Sequence, residues 1–96
     1  MNNNRFLFSG TKFYFGNLSS DCSVSELVAD LDFCITAAAQ LGSVYRKAYT
    51  LTNRPAGCFY VTREPKEVYF NFANPSETQN IKPNSGGVCR EGNLYI

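Results

Sequence analysis

The chain has 96 residues, 44% hydrophobic and 18% charged, a composition that specifies one folded domain with a modest core and excludes an intrinsically disordered chain. Nine Lys and Arg against eight Asp and Glu leave a net charge of +1, which excludes a strongly basic nucleic-acid coat and an acidic nucleic-acid mimic. Histidine is missing, and with it the commonest general base and the commonest metal ligand.

The first ten residues, MNNNRFLFSG, contain one short apolar run, Phe6 to Phe8. That run is far below the roughly 7–15 residues of a signal-peptide hydrophobic region. No stretch approaches the roughly 18 apolar residues of a membrane span, so no membrane contact is expected. The expected setting is cytoplasmic, in a bacterium or an infected host cell. Phe6 to Phe8 and Lys12 to Leu18 flank Ser9-Gly10-Thr11, which predicts a hairpin.

A helix is predicted next, over about 24–41. Ser23 and Glu26 have capping-box spacing. Val24, Leu27, Val28, Leu31, Cys34, Ile35, Ala38 and Leu41 then recur in steps of three and four, one apolar stripe down a helix. Gly42 stands where a left-handed C-cap is wanted. Glu26 and Asp30 fall on the opposite side and define a secondary acidic face. Strands follow at 43–52, 58–63 and 67–73, separated by the turn residues Asn53-Arg54-Pro55-Ala56-Gly57 and Glu64-Pro65-Lys66. Residues 74–92, with Pro75, Pro83, Gly86 and Gly87, read as a long loop, and 93–96 as a short edge strand. The predicted fold class is α+β, a single domain over 1–96. One long helix packs on one face of an antiparallel sheet of roughly four to six strands, in the order β-β-α-β-β-β with one more strand optional.

Cys22, Cys34, Cys58 and Cys89 show no Cys-x-x-Cys pair, so neither a zinc site nor any other metal or cofactor is expected. In a reducing compartment they read as buried thiols; a disulfide framework would allow three pairings.

Alternation along the strands sorts side chains onto two faces. Val68, Phe70 and Phe72 are expected to face the helix, as are Phe59 and Val61, Phe13 and Phe15, and Val44 and Ala48. The rule is phenylalanines inward and tyrosines outward. Tyr14, Tyr45, Lys47, Tyr49, Tyr60 and Tyr69 then form the candidate partner-binding surface, tyrosine being enriched at protein interfaces. Charge is polarised as well. Arg46, Lys47, Arg54 and Arg63 lie in an acid-free stretch, and Asp21, Glu26, Asp30 and Asp32 in a base-free one.

Phe13-Tyr14-Phe15-Gly16-Asn17-Leu18 resembles the first ribonucleoprotein motif of RNA-recognition-motif domains. The capped helix, the strand entry Gly42-Ser43-Val44 and the segment Gly57-Cys58-Phe59-Tyr60-Val61-Thr62 are similar to later parts of that family. The resemblance covers residues 13–62 and implies that Tyr14 and Tyr60 stack on unpaired bases. The family continues into a second helix, whereas 64–72 reads here as turn and strand.

Catalysis is not expected. The helix carboxylates face solvent, where nothing shifts their pKa. Cys58, beside Arg54 and Arg63, is the least implausible nucleophile, and it lacks a histidine partner. Ser85-Gly86-Gly87 lacks the Lys-Ser/Thr of a P-loop. Two functions remain. The first is a non-catalytic protein-binding module, an inhibitor or adaptor similar in size and style to phage anti-defence proteins such as anti-CRISPRs. The second is a single-stranded RNA or DNA binder using Tyr14, Tyr45, Tyr49 and Tyr60 with Lys12, Arg46, Lys47 and Arg54. An open sheet edge would also permit a homodimer.

Overall fold

Residues 11–91 are described by the computed structural model. In chain order they form β1 (Phe13–Leu18), a 3-10 turn (Val24–Glu26), helix α1 (Leu31–Gln40), β2 (Val44–Tyr49), β3 (Gly57–Val61), β4 (Glu67–Asn71), a second 3-10 turn (Pro75–Glu77) and β5 (Ser85–Arg90). The five strands make one sheet in the order β1-β5-β3-β4-β2. β2 runs parallel to β4; the other three pairings are antiparallel. The fold is therefore α+β with one helix on one face of the sheet, and the sheet is mixed rather than purely antiparallel. The strands predicted at 6–8 and 93–96 lie outside the described residues.

The core lies between α1 and the sheet. Cys34, Ala37 and Ala38 of the helix, together with Val28, meet Phe13, Cys58, Tyr60, Val68, Phe70 and Val88. Small residues on the helix allow close approach to the sheet, and the rings on the strands fill the remaining volume.

The helix begins later than its apolar stripe. Ser23 makes no side-chain cap bond, and only a three-residue turn follows it. The backbone of residues 27 and 28 pairs with the sheet instead. Leu27 bridges Cys89, and the Cys58 N–H donates to the Val28 carbonyl at 3.0 Å. Asp30 is the N-cap, its carboxylate accepting from the Phe33 N–H at 3.1 Å. Cys22 is fastened to Cys89 on β5, which draws the following residues along the end of the sheet before the helix can start. Glu26 and Asp30 thus occupy a turn and a cap, not an acidic helix face. The C-terminus is as expected. Gly42 has φ +72°, and Gly42 and Ser43 donate to Ala39 and Ala38 at 3.2 and 2.9 Å, a Schellman motif.

Within the stretch predicted as loop, 85–90 forms the buried strand β5, which pairs with both β1 and β3. Its low apolar content concealed it, and its glycines answer to contacts. A Cβ on Gly86 would lie 2.5 Å from the Asn17 carbonyl oxygen and 2.9 Å from the Tyr60 hydroxyl. One on Gly87 would lie 2.6 Å from the Cys22 sulfur.

All four cysteines are paired, Cys22 with Cys89 and Cys34 with Cys58, so the expectation of buried thiols is overturned. The first bridge fastens the segment before the helix to β5. The second joins α1 to β3 through the middle of the core. No described helix is long and apolar enough to cross a membrane.

Candidate partner-binding face

The face of the sheet away from α1 is divided. Over β1 and β5 it is covered by the chain around Cys22, whose sulfur and backbone nitrogen lie against Gly87. Over β4 and β2 it is open, and there Tyr69, half-buried, and Tyr49, exposed, continue an aromatic ladder that starts at the buried Phe59 of β3. Phe59 and Tyr69 are directly cross-strand and stack at 5.4 Å between centroids, 19° between planes. Tyr69 and Tyr49 stack at 5.8 Å and 30°. Because β4 lies between β3 and β2, both faces of the Tyr69 ring are occupied. Tyr69 consequently presents its ring edge to the outside, and aromatic edges carry partial positive charge.

Two adjoining depressions share Tyr49 and Tyr69. One, of about 260 Å³, is floored by Phe59 and Val61 and bordered by Leu51, Arg54, Arg63 and Asn84. The other, of about 300 Å³, is bordered by Tyr45, Arg46 and Lys47. Four cationic side chains therefore border the ladder, with Glu67 as the nearby carboxylate. Arg63 and Arg46 approach Glu67 at 3.6 and 3.9 Å, and the Tyr69 hydroxyl donates to it at 2.8 Å. Lys47 Nζ sits 5.3 Å from the Tyr49 ring centroid. The Arg54 guanidinium donates to the Asn84 amide oxygen at 3.1 Å. Burial, and then the bond to Glu67, raise the Tyr69 pKa above its ordinary value, so its hydroxyl remains a donor.

The backbone that carries Arg54 is held by Asn71, at the end of β4. Asn71 is 1% exposed. Its amide nitrogen donates to the carbonyls of Leu51, Arg54 and Pro55 at 2.8, 3.2 and 3.0 Å. Its oxygen accepts from the N–H groups of Leu51 and Ala73 at 2.8 and 3.1 Å. One side chain thus substitutes for the missing sheet partners of the 51–55 loop and sets the backbone from which Arg54 projects.

Among the six residues expected at the surface, Lys47, Tyr49 and Tyr69 come together here, and Tyr45 reaches the rim of the second depression while also packing on the core. Tyr60 does not. It points toward α1, 5% exposed, with its hydroxyl donating to the Gly16 carbonyl at 2.6 Å and its ring edge-on to Phe15. Its β3 neighbour Phe59 takes the outer side instead, at 2% exposure. Strand β3 therefore has the opposite facing to the one expected. Cys58 alternates with Phe59, and its disulfide to α1 fixes the even-numbered side inward. The same disulfide removes Cys58 as a nucleophile. Tyr14, on the far edge strand β1, donates to the Glu26 carboxylate and lies four strands from Tyr49, about 19 Å at ordinary strand spacing. Lys12 adjoins the same distant edge. Phe72, expected in the core, is 58% exposed just past the end of β4.

The base-stacking arrangement implied by the RNA-recognition-motif resemblance is not built: Tyr60 is internal and Tyr14 is engaged with Glu26. Comparison with protein-family models, curated proteins and solved structures finds no match to the chain.

Proposed function

We propose that the protein is a non-catalytic binding module that docks a protein partner on the open half of its outer sheet face. The observation that carries this reading is the Phe59–Tyr69–Tyr49 ladder, accessible at Tyr69 and Tyr49, between cationic borders. A rigid aromatic floor ringed by long polar side chains is the composition of an interaction hot spot. The two disulfides favour an oxidising setting, such as the cell exterior, over the cytoplasm expected from the sequence. An anti-defence inhibitor working in a reducing cytosol is correspondingly disfavoured. Single-stranded nucleic acid is the second reading, favoured by the same cations. Base stacking needs free ring faces, however, and both faces of Tyr69 are taken.

The test is capture of a binding partner by the wild-type protein and by Tyr49→Ala and Tyr69→Ala, with folding checked by near-ultraviolet circular dichroism. Loss of one stoichiometric partner by both folded variants supports the reading; undiminished capture by both refutes it.

A further inference from the structure

We infer that the two adjoining depressions form one groove for an extended acidic peptide segment, each depression receiving one carboxylate. The inference rests on the docking face proposed above and specifies the chemistry of its occupant. Arg54 and Arg63 border the first depression, Arg46 and Lys47 the second, and Tyr49 stands between them, 39% exposed. Among the described residues, the carboxylate paired with this border is Glu67, which Arg46 and Arg63 approach and to which the Tyr69 hydroxyl donates. Arg54 is fixed by Asn84 through one nitrogen, leaving its other donors for an incoming anion. The ring edge of Tyr69 favours the same sign of charge.

The groove crosses β3, β4 and β2, so its ends lie about 10 Å apart at ordinary strand spacing. Carboxylates two residues apart in an extended chain are separated by about 7 Å at their backbones, and their side chains reach the remaining distance. The fitting pattern is acidic-x-acidic, with the middle side chain pointing away from the sheet.

The experiment uses the full disulfide-bonded chain, isotopically labelled, titrated with a ten-residue peptide carrying a central Glu-x-Glu and followed by nuclear magnetic resonance. Shifts should concentrate at residues 46–49, 54, 63 and 69. The Gln-x-Gln peptide should bind at least about tenfold more weakly, as expected for loss of charge-assisted hydrogen bonds. Arg63→Gln and Lys47→Gln, both at exposed positions, should each weaken the Glu-x-Glu peptide by about 3- to 10-fold without altering the fold. Equal binding of the two peptides, shifts outside the groove, or indifference to both substitutions overturns the inference. Tighter binding of a sulfated oligosaccharide or an oligothymidylate than of the acidic peptide overturns it too. If the acidic peptide fails while Tyr49→Ala and Tyr69→Ala still abolish partner capture, the docking face stands and only the acidic occupant is refuted.

Discussion

Two buried polar side chains, one on each side of the sheet, tie it to its neighbouring segments. Asn71 bonds three carbonyls and one N–H of the 51–55 loop, and the N–H of Ala73 two residues on. Truncating it strands several of these, each costing of order 1 kcal/mol or more. Asn71→Ala should therefore lower stability by roughly 2–4 kcal/mol, read as a fall of at least about 10 °C in melting temperature. Tyr60 is the second. Tyr60→Phe keeps the ring but leaves the Gly16 carbonyl without its donor, and should cost roughly 1–2 kcal/mol in chemical denaturation. Burial also raises the Tyr60 pKa. A phenol whose pKa is raised on folding stabilises the protein fully below the unfolded value near 10, and that contribution is lost as pH rises through the folded value. Tyr45, raised by burial, and Tyr14, raised first by its bond to Glu26, act in the same direction. Stability should thus be insensitive to tyrosine ionisation at neutral pH and fall above about pH 10. Phenolate absorbance and the circular-dichroism unfolding signal should rise together there in the wild type.

At the scale of elements, the sequence was most legible where local chemistry decides. Gly42 closes α1 as its position implied, and the strands around Tyr45, Phe59 and Tyr69 lie where their β-rich runs predicted. It was least legible where a distant contact decides. The Ser23–Glu26 spacing lost to the Cys22–Cys89 bridge and to the pairing of residues 27 and 28 with the sheet. Only Asp30 caps the helix, so Asp30→Ala should destabilise the fold by about 1 kcal/mol while Ser23→Ala leaves melting unchanged. Ser85-Gly86-Gly87 resembled a loop because its strand character comes from neighbours on both sides, not from its own side chains. The ladder was half legible. Tyr49 and Tyr69 were placed outward, but Phe59 could not be exchanged with Tyr60 without knowing that Cys58 is tied to α1. No local pattern marks Asn71, because four of its five hydrogen bonds go to the distant 51–55 loop.

For the whole molecule, the two bridges close loops with sequence separations of 67 and 24 residues. Chain-entropy reasoning assigns about 4 kcal/mol to the longer closure and about 3 kcal/mol to the shorter. Together these rival the entire stability of a domain this small. Removing Cys22 and Cys89 as alanines should lower the denaturation midpoint markedly. Adding a strong reductant to the wild type should unfold it at 37 °C, seen as loss of near-ultraviolet dichroism. The strand order has a separate consequence. β5, the last described strand to leave the ribosome, inserts between the first and the third. Until it emerges, β1 has no described neighbour and β3 has one bare edge, so the nascent chain holds at most a β3-β4-β2 fragment. The protein must complete its sheet in one late event, and arrest of translation anywhere before residue 85 should yield a species that proteases digest readily.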